Sequence, residues 1–468
     1  MSRHSLLPRA LALALLAAPN VWAADPEIDA IRKEINDLKS NYEARIQALE
    51  QRLKDAETKA TAAQSQATAA QAQASAAQAQ VAAIPPPAAP TSSISAFNPA
   101  VSAVLQGSYA NLSQDPSKFA MTGFLPGGEI GPGKRGFSLG ESELAFYANV
   151  DDKFAGNLIV SLTPDDTVSV EEAYGIWVTA PGGLVPKFGR FFSGLGYLNE
   201  QHQHVWDFID APLAYQAFLG GQYHNDGVQV KWIAPIDQFV ELGAEAGAGD
   251  SFPGTSRSKN GANSWTAFAH TGGDIGDSNS WRVGVSYLRT NAEDRTGTLP
   301  DIAANDADVA FTGKSDTAVA DFVWKWAPNG NGHDTNFKVQ GEYLWRKETG
   351  DLTYDASNAL GLMSAATYTA RQSGWYLQGV YQFMPLWRAG VRYDRLDPGN
   401  PDYGTNAAYY ATTDFNPQRY TVMVDYTPSE FSRWRIQFAQ SKTRPDFTDN
   451  EFFVQYILSL GAHGAHKY

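Results

Sequence analysis

From about Phe97 onward the chain is a succession of short runs in which apolar and polar residues alternate. Trp281, Val283, Val285 and Tyr287 oppose Arg282, Gly284 and Ser286. Phe337, Val339, Gly341, Tyr343 and Trp345 oppose Lys338, Gln340, Glu342 and Arg346. Trp375, Leu377, Tyr381 and Phe383 oppose Gln378 and Gln382, and Tyr420, Val422, Val424 and Tyr426 oppose Thr421 and Asp425. A period of two is that of a strand whose faces meet different surroundings. In VSVEEAYGIWV, the residues Val168, Val170, Tyr174, Ile176 and Val178 share one parity, which predicts that they share one face. About sixteen such runs of roughly ten residues can be counted. Tight turns follow every second run, among them APGG at 180–183, APID at 234–237, Met384-Pro385 and TPSE at 427–430. The intervening connections are mostly long: 113–135, 193–225, 249–262, 291–315, 347–370 and 396–417. This asymmetry predicts an all-β fold, a closed antiparallel transmembrane β-barrel of about sixteen strands with short periplasmic turns and long outer loops. Closure follows because backbone groups in lipid have no water to bond. Trp324, Trp326, Trp345, Trp375 and Trp387 lie at run ends, where interfacial aromatic girdles belong.

The N-terminal pattern differs. Residues 1–23 read as a signal peptide, with Arg3 and Arg9, a short apolar core and Val21-Trp22-Ala23 as the cleavage site. Residues 24–84 predict an α-helical coiled coil. Ile28, Ile31, Ile35, Leu38 and Tyr42 follow a three-four spacing, a stutter shifts the frame to Ile46, Leu49 and Leu53, and alanine-rich heptads continue it. Isoleucine at both core positions leans toward three strands. Pro85-Pro86-Pro87 ends the helix and opens a linker over 85–96, so the barrel domain spans 97–468.

Composition changes this picture little. The 12 Trp, 21 Tyr, 24 Phe and 41 Gly suit a barrel whose strands are half wet. There is no cysteine, which excludes disulfides and thiolate metal sites. Charge adds more. With the apolar parity assigned to lipid, the lumen set includes Glu141, Glu143, Glu241, Glu245, Asp321, Lys325, Lys338, Glu342, Arg346, Arg388, Arg392 and Asp425. Acids dominate the early strands and bases the later ones, which implies a transverse field across a pore. The net charge of −14, much of it in outer loops, argues for a modest cation preference.

The connection 193–225 is too apolar to wave in water. Trp206, Phe208 and Tyr215 are expected to pack against the inner wall, making this loop the constriction, with Glu200, Asp207 and Asp210 lining or flanking its narrowest point. His202 and His204 present two imidazoles along an extended segment, and neutral imidazole is a zinc or copper ligand. They are the candidate metal ligands, zinc being the one cofactor in view. Catalysis has no support: Ser193 lacks the strand-turn-helix setting of a nucleophile elbow, and no GxGxxG, P-loop or HExxH is present.

The segment EEAYGIWV, its turn, and KFGRFFSGLGYLNE resemble the strand pair and loop entry of the phosphate-selective porin O and P family. That resemblance implies a signal peptide, a short coiled coil and a trimeric barrel. Lys187 and Arg190 stand where it implies pore cations, but their parities are opposite, so both face the lumen only across a bulge. Phosphate selectivity is not carried over, because the loop after them is rich in His, Asp and aromatics. The function expected is passive diffusion of small hydrophilic solutes or ions through a homotrimeric channel in the outer membrane of a Gram-negative bacterium, with lipid as a partner and no nucleic acid. The rival readings are a zinc-type metal-handling protein, a TonB-linked receptor, and a structural tether between envelope layers. The receptor would need a globular plug before the barrel, where 25–96 hold a helix and a linker.

Overall fold

The chain divides into two units, Met1–Ser93 and Ile94–Tyr468. The computed structural model describes residues 100–461 apart from 129, 164–166, 303–305, 412–413 and 446. Of the first unit it describes Gln47, Gln51 and Lys54, which are helical. The expected signal peptide and linker, and the coiled coil beyond those three positions, lie outside the described residues.

A single antiparallel sheet of 17 segments makes up the second unit. In chain order these are β1 (Ala100–Leu112), β2 (Gly136–Leu139), β3 (Ser142–Asn149), β4 (Phe154–Leu162), β5 (Val168–Trp177), β6 (Leu184–Phe192), β7 (His224–Ile233), β8 (Phe239–Gly247) and β9 (Ser264–Ile275). There follow β10 (Asn279–Pro300), β11 (Asp306–Trp326), β12 (Asn336–Tyr354), β13 (Ser364–Met384), β14 (Trp387–Asp397), β15 (Gln418–Ser429), β16 (Ser432–Arg444) and β17 (Phe447–Gly461). From β3 onward each strand pairs with the next. β1 pairs with β17 from Ser102↔Gly461 to Leu112↔Glu451, so the sheet closes. β2 and β3 both pair with β1 and act as one stave, broken at Gly140-Glu141, which makes a 16-strand barrel.

Closure leaves two faces. Outward stand Val283, Val285, Tyr287, Tyr343, Leu377, Tyr381, Val391, Tyr420, Val422, Ile436 and Phe438, all exposed. An apolar surface of that extent is an aggregation hazard in water and the normal exterior of a barrel in lipid. Inward on the same strands stand Ser286, Gln340, Glu342, Gln378, Thr421, Asp425 and Gln437, all buried.

Two sequence expectations are corrected here. The first concerns the parity of β5. Ile159 pairs with Glu172 while Val160 pairs with Val170, so Glu171 is the extra residue of a β-bulge. A bulge shifts the alternation by one. Val168 and Val170 therefore face outward, whereas Tyr174 and Ile176, opposite Asn157 and Ala155, face inward with Glu172. The second concerns the connections 291–315 and 347–370, which are mostly strand. β10 to β13 run for 19 to 22 residues each. The alternation persists along them but changes sign. In β12 the outward residues Tyr343 and Trp345 give way to Lys347, Thr349 and Asp351, while the inward side becomes Leu352 and Tyr354. Above the lipid the outer face meets water and the inner face packs, so the apolar side moves inside. Those inward residues form a cluster with Leu299, Val309, Phe311, Tyr368 and Tyr410 at the end opposite the short turns.

Candidate functional site

After Phe192 the chain turns into the lumen and comes back at His224. The neck is closed by Ser193 N donating to Tyr223 O at 3.1 Å. Asn199 fastens it from inside, its amide donating to Ser193 O at 2.9 Å and Tyr223 O at 2.8 Å, while Tyr223 N donates to Asn199 Oδ1 at 2.7 Å. Further along, α1 (Leu213–Leu219) is buried at every residue and stops at Gly220, whose φ of 66° suits the left-handed cap. The helix packs on inward wall residues Leu288, Val319, Leu344, Tyr376 and Leu396, and on Met121 and Phe124 from the connection 113–135. Burying one such side chain stabilises by about 1.5–3 kcal/mol, so the loop is held by an apolar core of its own within the barrel.

Polar contacts set its orientation. On the early strands the wall is acidic. Glu245 accepts from Ser193 Oγ at 2.7 Å and Gly194 N at 2.8 Å. Glu143 lies 2.8 Å from His204 Nδ1 and 3.3 Å from His202 Nδ1. Glu171 lies 3.2 Å from His202 Nδ1, and Glu172 3.2 Å from His202 Nε2. Burial alone would lower the His202 pKa, but its N–H groups donating to Glu171 and Glu172, and the charge of Glu143, outweigh burial and raise it well above the ordinary value. On the late strands the wall is basic. Asp207 meets Lys338 and Arg388. Asp210 meets Arg392 at 3.0 Å and Arg419 at 2.6 Å, and accepts from Gln437 at 2.7 Å. Burial would raise both aspartates, but the facing cations hold them below the usual carboxylate range. Arg433 donates to His204 O, and Arg435 to Trp206 O at 2.9 Å. The loop thus offers histidines to the acidic wall and aspartates to the basic one.

Between the walls, Glu342 accepts from Tyr197 N at 3.2 Å, Leu198 N at 3.0 Å, Tyr215 OH at 2.9 Å and Tyr376 OH at 2.7 Å. Gly196, at φ 70°, passes so close that a Cβ there would lie 2.2 Å from Glu342 Oε2. On the short-turn side of the loop are two cavities of about 540 and 630 Å³. Asp207, Lys338 and Arg388 line both; His204 and Arg433 belong to the first and Lys325 to the second.

An uncharacterized protein of Aquifex aeolicus (strain VF5) is 30% identical over 406 residues, covering 80% of this chain and 81% of that protein. This chain belongs to the same family. No family model matches it. Among solved structures, OmpT of Vibrio cholerae, an outer membrane protein solved in a trimer form, has a TM-score of 0.48 at 12% identity over 78% of this chain and 99% of its own. The outer membrane channel DcaP of Acinetobacter baumannii has a TM-score of 0.47 at 14% identity over 78% and 97%.

The residues singled out from sequence occupy distinct places. Glu143, Glu245, Glu342 and Arg392 all touch the loop. Arg346 donates to Ala217 O at the end of α1. Glu200 pairs with Lys231 at 2.7 Å, and Glu241 with His270 at 2.9 Å. Glu141 sits in the break between β2 and β3 and accepts from Ser161 Oγ at 2.5 Å. Trp206, Phe208 and Tyr215 are buried, and Phe208 packs on Val380 and Met423. Lys187 is buried with its ammonium 4.5 Å from the Tyr174 ring centroid. Arg190 takes the parity of the exposed Phe188 and pairs with Asp226 at 2.6 Å, away from Lys187. Sequence reasoning missed Glu171, Glu172, Asp394, Arg419, Arg433 and Arg435. For the two glutamates no alternation signal existed, because the bulge that gathers them breaks the alternation. Arg435 was open to detection, lying on the polar parity opposite Trp434 and Ile436.

Proposed function

We propose that this protein is an outer-membrane, porin-like channel for passive diffusion of small hydrophilic solutes or ions, with transport rather than catalysis as its activity, and that the loop between β6 and β7 sets its bore. The observation that carries this reading is the docking of that loop between walls of opposite charge, inside a barrel whose exterior is apolar. A structural tether needs no charged lumen and no loop matched to both its sides. The signal-like N-terminus supports export, and the Ile-rich heptads support a homotrimer with the helix on the periplasmic side. The likeness to the phosphate-selective porins enters at the level of architecture, and the solute class stays with small hydrophilic molecules.

The test is a planar-bilayer recording of the purified protein beside a variant in which residues 195–221 are replaced by a short glycine linker. We expect discrete conductance steps from the native chain and larger steps from the variant. Absence of steps from both would defeat the channel reading. Equal steps from both would remove the loop from its role as constriction.

A further inference from the structure

The bulge at Glu171 turns two consecutive carboxylates toward one point of the lumen. Glu143 approaches the same point from β3, and the loop brings His202 down between them. His202 Nδ1 is 3.3 Å from Glu143 Oε2 and 3.2 Å from Glu171 Oε2. Zinc bonds to imidazole nitrogen and carboxylate oxygen of about 2.0–2.2 Å, in a tetrahedron, place neighbouring ligand atoms about 3.3–3.5 Å apart. The separations from Nδ1 are therefore close to the edges of such a tetrahedron, and one ligand atom from each of the three residues lies within 4.8 Å of the other two.

A second observation is independent of that spacing. A histidine that binds metal through one ring nitrogen usually donates the other N–H to a carboxylate, which fixes its tautomer and orientation. Here Nε2 faces Glu172 Oε2 at 3.2 Å, and Glu172 is held in turn by Phe192 N donating to its Oε1 at 3.1 Å. Glu143 has a similar support, His204 Nδ1 at 2.8 Å from its Oε1. One imidazole nitrogen and two carboxylates, with no thiolate in the chain, are donors that zinc shares with other divalent first-row ions, and the edge lengths are those of zinc's tetrahedron. Two carboxylates also match the ion's two positive charges. His204, which supports Glu143, lines the cavity of about 540 Å³ on the short-turn side.

We propose that Glu143, Glu171 and His202 bind one divalent transition-metal ion of the zinc class, oriented by Glu172 and His204, and that the bound ion clamps the loop to β3 and β5. The ion takes the Nδ1 lone pair, and any proton on Nδ1 leaves to solvent. Three protein ligands leave the fourth position to water or a passing solute. Binding itself does not need the channel reading; only the effect of the clamp on current rests on it.

The test uses the full chain in detergent, stripped with chelator, titrated with zinc chloride by calorimetry and with cobalt chloride by visible absorption. We expect one zinc per chain and the intense visible bands of tetrahedral cobalt. His202→Ala and Glu143→Gln should lose affinity by at least about 100-fold, and Glu172→Gln by about 10–100-fold. Changing His463 and His466 should leave binding as it was. If gel mobility before heating shows that His202→Ala does not fold, Glu171→Gln and Glu172→Gln carry the test. No zinc uptake by the native chain, or unchanged affinity in the folded variants, overturns the proposal. Zinc should also lower the bilayer current of the native chain and not of the His202 variant. A protein that takes up zinc at this site and carries no current keeps the metal site and defeats the channel reading alone.

Discussion

At Glu342, loop and wall meet through one carboxylate. It accepts from two loop amides and two tyrosine hydroxyls, and each donor left buried without its acceptor costs about 1–3 kcal/mol. We expect Glu342→Ala to free the loop without opening the barrel, which limited proteolysis would show as new cuts between 195 and 221 in a protein that still migrates as folded before heating. Gly196→Ala should act the same way, since left-handed backbone costs an L-residue roughly 1–2 kcal/mol and the new Cβ would meet Glu342 Oε2 at 2.2 Å. Asp210→Ala removes one of the two carboxylates shared by Arg392 and Arg419, which keep Asp394 at 3.0 and 3.6 Å, so it should loosen the loop by less than the roughly 3–5 kcal/mol of a fully broken buried pair, read as partial protease cutting between 195 and 221. Acid should do reversibly what that substitution does permanently. The carboxyls of Asp207 and Asp210 are held below the ordinary 3.8, so their contribution to docking is complete above that pH. It is lost as pH falls through their lower values in the folded protein. Conductance should therefore rise as pH falls below about 4 in the native chain, and Asp207→Asn with Asp210→Asn should already show the higher level at neutral pH; an acid rise of the same size in both would show that the aspartates do not hold the loop. The aspartates were legible as loop acids from sequence. Of their partners, Lys338, Arg388 and Arg392 were legible too, on the polar parity of their strands; Arg419 was not, because it stands at the very start of β15, where alternation has barely begun.

Among the elements, β5 and β12 mark where strand reading succeeds and where it stops. Alternation located nearly every strand because burial on one side and lipid on the other leave a period of two. It misplaced half of β5 because one inserted residue reverses the sequence of faces without altering composition. It cut β10 to β13 short because their apolar side changes from outer to inner where lipid ends, and a reversal of sign reads as a loss of pattern. Deleting Glu171 tests the first point. Val170 and Glu172 would then be neighbours of opposite parity, as a regular strand requires, and the barrel should assemble with native gel mobility but weaker zinc uptake. Helix α1 was read only as an apolar stretch, since seven residues with every side buried have no polar face to mark a turn of 3.6. Truncating Phe218 to alanine should destabilise the docked loop by about 3–5 kcal/mol, measured as a lower midpoint for its protease protection.

On the scale of the whole molecule, the two charged walls come from opposite halves of the chain, and the loop between β6 and β7 belongs to the first. With Asp207 and Asp210 against the bases and His202 and His204 against the acids, opposite charges balance across the narrow part. We expect only weak ion selectivity in a KCl gradient; a strong reversal potential of either sign would contradict that balance. The closed ring also imposes a calendar. Ile209 N bonds to Gln437, 228 residues further on, and β1 cannot meet β17 until the last strand exists. The loop between β6 and β7 is therefore synthesised before half of its berth, and must wait, apolar side chains uncovered, until the later strands exist. Long-range pairing of this kind is slow and open to aggregation. The chain should need a holding partner in transit, and the bore should reach its final width as the last event of assembly, after the wall is already complete.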